Sequence, residues 1–89
     1  MRIWKWQLDV LGEQILMLPK GATLLTVQMQ GDKCCLWALC DEIESTKERR
    51  YLAIYGTGHP LPDFEGRYLS TFQRDSGALV FHAFEVFPS

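Results

Sequence analysis

The sequence predicts an all-β fold, a small barrel or sandwich of roughly six to seven short antiparallel strands. Three observations support this fold class. Several segments alternate apolar and polar residues with the period of two that is typical of half-buried strands. Turn-forming residues separate these segments at intervals of about eight to twelve residues. No segment shows a convincing helical period, and we expect one β-rich domain over residues 1–89.

The first two strands are predicted within residues 4–18. From Trp4 to Val10, aromatic and aliphatic residues alternate with polar ones, which indicates a half-buried strand with an aromatic inner face. A shorter segment, Gln14 to Leu18, follows. It leads into Pro19-Lys20-Gly21, whose proline and glycine favour a tight turn.

A hairpin is predicted next. Thr23 to Gln30 alternates again, and Gly31-Asp32 follows it with a glycine suited to the positive φ of a two-residue turn. The second arm, Lys33 to Cys40, is apolar on both faces, as in a strand that is covered on both sides. The apolar face of the first arm carries Leu25, Val27 and Met29.

The second half of the chain begins with its one charged stretch, Asp41 to Arg50, for which we expect a loop rather than a helical turn. Short strands are predicted over Tyr51 to Tyr55 and Arg67 to Gln73. After a turn at residues 74–77, Ala78 to Phe87 is predicted to form a long last strand. One of its faces carries Val80, His82, Phe84 and Val86, and the other carries Leu79, Phe81, Ala83 and Phe87.

The size of the chain bears on its assembly. A domain of 89 residues buries only about 60–65% of its unfolded surface. It can hardly cover both faces of Lys33 to Cys40 and of Ala78 to Phe87 by itself. We therefore expect apolar surface to meet another chain, with a homodimer as the favoured arrangement. The alternative is a closed barrel with a few exposed apolar residues.

Composition excludes several functional classes. Nine Lys and Arg against eleven Asp and Glu give a formal charge of -2, so nonspecific nucleic-acid binding is disfavoured. No apolar run approaches the ~20 residues that span a bilayer, and the N-terminus alternates Trp with charge, unlike a signal peptide. Cys34, Cys35 and Cys40 fit a reducing cytosol and lack metal-ligand spacing, so we predict small buried hydrophobes and no metal.

The candidate site is the loop from Tyr55 to Asp63, where prolines stiffen the backbone and glycines leave amides uncovered. Exposed amides can hold an anion, and arginines from neighbouring strands would add forked donors if they converged there. The alternative is that these arginines pair with surface carboxylates. The predicted ligand-binding residues are Tyr55, Gly56, Thr57, Gly58, His59, Arg49 and Arg67.

Catalysis is not predicted. Thr57, His59 and Asp63 are the residue types of a nucleophilic relay, but groups so close in sequence rarely form one. The GTGHP segment also lacks both common phosphate-binding fingerprints. We expect no enzyme activity and no cofactor. His82, inside an apolar strand, is expected to be a satisfied core or interface histidine, and the three tryptophans are expected to belong to the core.

Five short motifs together resemble a known family. They are Ile3-Trp4-Lys5, residues 17–22 (MLPKGA), residues 35–39 (CLWAL), residues 55–60 (YGTGHP) and residues 77–82 (GALVFH). This combination, spread over nearly the whole chain, resembles a family of small uncharacterised proteins encoded in tailed bacteriophages and prophages. The resemblance implies a phage origin and a setting in the host bacterial cytoplasm. It implies no particular reaction.

A phage origin favours a noncatalytic accessory protein, plausibly an anti-defence inhibitor of host immunity. In one version it sequesters a small anionic, nucleotide-derived signal at the loop. In the other it blocks a host protein through its apolar strand faces. Two alternatives stay open: a structural or assembly protein of the virion, and a small hydrolase that uses His59.

Overall fold

Seven β-strands account for the regular structure in a computed structural model that describes residues 1–88. The all-β prediction and the predicted number of strands are confirmed. The strands are β1 (Arg2–Leu8), β2 (Gly12–Pro19), β3 (Thr23–Gln30), β4 (Lys33–Cys40), β5 (Lys47–Gly56), β6 (Gly66–Arg74) and β7 (Leu79–Val86).

The strands form two antiparallel sheets that pack face to face as a sandwich, not as a closed barrel. One sheet has the order β1-β4-β3 and the other the order β2-β5-β7-β6. Side chains join β3 to β6 along one side of the sandwich. Ser70 Oγ accepts from the Val27 amide at 2.9 Å and donates to the Val27 carbonyl at 2.8 Å. On the opposite side, β1 and β2 are the edge strands of their sheets and do not pair with each other.

The core lies between the inner faces of the two sheets, and the alternation in the sequence explains which side chains enter it. Every second residue of a strand points inward, and the members of the core cluster follow that rule on β4, β5 and β7. Cys35 and Ala53 are buried as well, although they lie on the outer faces of their sheets. The largest fully buried side chains are Phe72, Leu18, Leu24, Leu36, Leu52, Ile54 and Val27, and the ring of Phe81 is buried beside them at 6% exposed.

The three cysteines are free and buried, as the sequence predicted. Burial raises the pKa of the Cys34 thiol to about 11; the neighbouring Cys35 adds to the rise and Arg74 opposes it. Burial also raises the pKa of Cys40. These thiols are therefore protonated near neutral pH and behave as small apolar side chains.

Three local predictions are wrong. The tryptophans do not all belong to the core: Trp4 is 43% exposed and Trp37 lies on the outer face of β4, so only Trp6 packs against the core. A β-bulge lies between Leu24 and Thr26, so Leu24 is 1% exposed beside Val27, whereas Leu25 is 41% exposed. The extra residue shifts the alternation by one position, so the prediction that Leu25 lies on the same face as Val27 is wrong. The charged loop is also shorter than predicted: residues 41–46 form no strand, but Lys47–Arg50 already belongs to β5.

The outer face of β4 needs less cover than the sequence suggested. Cys35 points away from the core cluster yet is only 1% exposed, and Trp37 on the same face is half-buried. Gln7 of β1 and Gln28 of β3 flank Cys35 in register. Long side chains such as these cover apolar surface with their stems while keeping polar ends in water.

Candidate functional site

Residues 57–65, here called the strap, cross the outer face of the four-stranded sheet. β5 and β6 both pair antiparallel with β7, so they run parallel to each other and their connection must pass over β7. Phe64 in the strap packs on Phe84, with ring centroids 5.3 Å apart, and stacks on Tyr55 at 6.3 Å. The predicted loop from Tyr55 to Asp63 therefore lies largely within the strap.

The first half of the strap is a tight turn in which two backbone amides already donate hydrogen bonds to backbone carbonyls. The Thr57 amide donates to the Val80 carbonyl at 3.0 Å, and the His59 amide donates to the Gly56 carbonyl at 3.1 Å. The exposed His59 ring lies directly on Gly56, where a Cβ would come within 2.9 Å of the ring carbon Cε1. Gly58 has a φ of 86°, in the region that favours glycine. Two of the amides that were predicted to be open are thus engaged.

His82 is hydrogen-bonded to hydroxyl groups on both sides of its ring. Its Nε2 lies 2.7 Å from Thr57 Oγ1, and its Nδ1 lies 2.8 Å from the Tyr68 hydroxyl and 3.3 Å from Thr71 Oγ1. A bulge between Tyr68 and Ser70 brings Tyr68 and Thr71 onto the same face of β6. We call these four residues the His82 cluster.

The His82 cluster ties the strap to the sheet. In the neutral ring with a proton on Nε2, His82 donates to Thr57, and Nδ1 accepts from Tyr68. The Thr57 hydroxyl then donates to the Val80 carbonyl at 3.3 Å. Every group has a partner, which matches the satisfied histidine that the sequence predicted. Thr57 thus binds His82 on the sheet, and the relay of Thr57 with His59 considered from the sequence is not assembled.

The two arginines predicted to serve the loop lie elsewhere. Arg67 Nη2 donates to the Leu24 carbonyl at 2.8 Å and so helps to join the two sheets. Arg49 pairs in register with Met17, seven residues before Gly56 on β5, which is about 23 Å along a strand. The structure therefore brings Tyr55, Gly56, Thr57, Gly58 and His59 together and leaves Arg49 and Arg67 apart from them.

Arg50, on the inner side of β5, forms the buried ion pair of the domain. Its Nε lies 2.6 Å from Glu85 Oε2, and its Nη1 donates to the Ala22 carbonyl at 2.6 Å. Glu85 is the one buried charged residue among residues 1–88. This contact joins β5 and β7 to the start of β3 and has a structural role.

An apolar groove of about 630 Å³ opens on the outer face of the four-stranded sheet, between β2 and β7. We call it the β2–β7 groove. Its lining consists of Glu13, Gln14, Ile15, Tyr51, Leu52, Val86 and Pro88. Ile15 is 58% exposed there, and it pairs in register with Tyr51, which in turn pairs with Val86. The groove therefore presents a row of apolar side chains across three adjacent strands.

Charges of opposite sign lie near this groove on the outer face of the sheet. Glu13 precedes Ile15 on the outer face of β2, close enough to Tyr55 that its carboxylate adds to the rise in the Tyr55 pKa that burial produces. Arg49 lies on the same outer face of β5, two residues before Tyr51. Arg49 lies outside the groove lining, so the carboxylate of Glu13 is the one charge among the lining residues.

A family model described as "Domain of unknown function (DUF7352)" matches residues 1–89. The chain belongs to this family. Searches of curated proteins and of solved structures give no match for this DUF7352 domain.

Within residues 1–88, no three His, Cys, Asp or Glu side chains come together as a metal site. The same residues contain no helix of the length and apolar character needed to cross a bilayer.

The β2–β7 groove and the His82 cluster were both missed from the sequence. The alternation did place Val80, His82, Phe84 and Val86 on one face of the last strand, and this is confirmed. The alternation does not reveal the order of the strands, and that order brings β2 and the strap close to the outer face of β7. Within Gln14 to Leu18, the exposed apolar residues Ile15 and Met17 were the available signal.

Proposed function

We propose that this DUF7352 chain is a noncatalytic phage accessory protein that inhibits a host defence by binding a host bacterial protein. The phage setting rests on the motif resemblance described above. The binding role rests on one observation, the β2–β7 groove with its exposed apolar wall. Exposed apolar side chains that lie side by side on a rigid sheet can serve as a site for another protein. A continuous row of apolar side chains on a rigid sheet suits an apolar segment of another protein.

The geometry supports a protein target better than a small anionic ligand. An anion is held by free amides and forked arginine donors. At the first half of the strap, the Thr57 and His59 amides donate to carbonyls, and Arg67 donates to Leu24 on the other sheet. The groove, in contrast, combines apolar side chains with a single carboxylate from Glu13.

The experiment is a capture from bacterial lysate followed by a binding measurement with the purified partner. Val86→Glu places a charge in the groove, and Pro88→Glu does so from a residue outside the strands. Ile43→Glu is the matched control, because Ile43 is 85% exposed and lies away from the groove lining. We expect both groove variants, with unchanged melting temperatures, to lose the partner that Ile43→Glu retains. Equal binding by all four proteins would overturn the proposal.

A small anionic, nucleotide-derived ligand remains the second candidate, and one observation favours it. A pocket of about 250 Å³ lies between the strap and β7, where the exposed His59 ring and the Thr57 hydroxyl meet Val80. If such a ligand binds there, cyclic nucleotides or ADP-ribose derivatives will raise the melting temperature by mass action, and His59→Ala will abolish the rise. No shift with any of these compounds would remove this candidate.

A further inference from the structure

We propose that β2 is a dimerisation strand: two copies of the chain pair β2 with β2 in antiparallel fashion across a two-fold axis at Ile15. The two four-stranded sheets then form one continuous sheet of eight strands. This inference concerns the assembly of the protein and does not depend on what the protein binds.

β2 has the properties of an unprotected edge strand. It pairs with β5 on one side only, and its outer face exposes Ile15 at 58% and Met17 at 50%. The four residues from Gln14 to Met17 carry no charge. Natural edge strands are usually protected by charged side chains, prolines or covering loops. In β2, the charged Glu13 lies near the start and Pro19 lies at the very end. No charged residue or proline lies between them.

The other edge strand on this side of the sandwich, β1, is unsuited to pairing with itself. Lys5 stands at its centre and Arg2 at its start. A two-fold axis at Lys5 would place two ammonium groups directly opposite each other, which is destabilising. Lysine at this position is a common means of keeping an edge strand single. The difference between the two edges selects β2.

The charges on the outer face fit the proposed register. With Ile15 opposite Ile15 of the second copy, Glu13 lies opposite Met17 of that copy, and the next residue in the same row is its Arg49. Two strand spacings separate the Cα atoms of Glu13 and that Arg49 by about 10 Å, within the combined reach of the two side chains. Symmetry produces this contact twice. Within residues 1–88 of one chain, neither residue has an ion-pair partner.

Dimerisation through β2 would also complete the β2–β7 groove. In the single chain, β2 forms the outer wall of the groove and has nothing beyond it. In the dimer, Ile15 and Met17 of the second copy extend that wall, and two symmetry-related grooves meet at the axis. The groove that is present in the single chain would then be longer in the dimer.

Cysteine cross-linking tests the register directly. Opposite residues of antiparallel strands have Cα atoms about 4.5–5.5 Å apart, within the range for a disulfide. Under oxidised glutathione, Ile15→Cys should form a covalent dimer: the two introduced thiols are oxidised to one interchain disulfide, and one glutathione disulfide is reduced to two glutathione thiols. Met17→Cys is the matched control: its thiol would face Glu13, with its own counterpart about 13 Å further along the strand. The native cysteines are buried and should not contribute.

Charge exchange provides a second test that leaves the strand intact. The mass of the unmodified protein, measured by light scattering over a concentration series, should show a monomer–dimer equilibrium. Glu13→Lys and Arg49→Glu should each weaken dimerisation about tenfold, because each affects two symmetric contacts. The double variant should restore it. A monomer at all concentrations, or equal cross-linking of Ile15→Cys and Met17→Cys, would overturn the proposal.

Discussion

The His82 imidazole lies 2.7 Å from the Thr57 hydroxyl, so the first residue of the strap is hydrogen-bonded to the middle of β7. This contact joins two positions 25 residues apart in sequence. It fixes where the strap leaves β5, while Phe64 fixes where it approaches β6. The outer face of the four-stranded sheet is therefore divided into a covered part, under the strap, and an open part, the β2–β7 groove.

Thr57→Val should loosen the strap. The substitution keeps the shape of the side chain but leaves His82 Nε2 without its partner, at a cost of about 1 kcal/mol. For a domain of this size, that lowers the melting temperature by about 4–8 °C. Thr23→Val, at an exposed threonine with no hydrogen bond among the side-chain contacts of residues 1–88, is the matched control. Equal melting temperatures for the two variants would contradict the role of the cluster.

Gly66→Ala should destabilise the domain more than Gly56→Ala. A Cβ at Gly66 would collide with the Glu85 backbone carbonyl oxygen, so β6 and β7 would have to separate. At Gly56 the obstacle is the His59 ring, an exposed side chain that can move aside. We expect a loss of about 2–3 kcal/mol for the first variant and below about 1 kcal/mol for the second, measured by urea unfolding. The reverse order would contradict the packing described for β6.

Arg50→Met should be strongly destabilising, because it leaves the Glu85 carboxylate buried without its cation. Breaking one side of a buried pair costs about 3–5 kcal/mol. Arg50→Met combined with Glu85→Leu removes both charges and should recover most of the loss. Urea unfolding of the two single variants and the double variant measures the coupling. Simple addition of the two single effects would show that the residues do not act as a pair.

Stability should fall at alkaline pH through Cys34. The ordinary pKa of a cysteine thiol is 9.0, and the pKa of Cys34 in the folded chain is about 11. The folded state therefore favours the protonated thiol. The resulting stabilisation is complete below pH 9 and is lost as the pH rises through 11. Urea unfolding at pH 8 and pH 10.5 should show a decrease that is smaller in Cys34→Ala. The remaining decrease should include Cys40 and Tyr55, whose pKa values are also raised.

Local patterns predicted most of the strands, because each residue's environment in a regular strand depends on its parity. The two faces of β7 followed directly from that alternation, and the hairpin at Gly31-Asp32 followed from its turn residues. The rule predicted the wrong face for Leu25, because a bulge changes the alternation within β3. Residues 47–50 were not predicted as a strand, because the burial of Arg50 depends on its ion pair with Glu85, 35 residues away in sequence.

The candidate site was harder to predict because it depends on strand order. The Gly- and Pro-rich loop was found from composition, but its path over β7 follows from the position of β7 between β5 and β6. The groove likewise requires β2 to lie beside β5, which is a long-range pairing. The same strand order places Arg49 beside Met17 of β2, and Arg67 donates to the Leu24 carbonyl of the other sheet. No local pattern contains this information.

The most direct test of the central claim is the equilibrium affinity of the captured partner for the unmodified chain, Val86→Glu, Pro88→Glu and Ile43→Glu, measured side by side. The account predicts that the unmodified chain and Ile43→Glu bind equally and that both groove variants bind at least about tenfold more weakly. Undiminished binding by folded Val86→Glu and Pro88→Glu would contradict the claim that the β2–β7 groove is the binding surface.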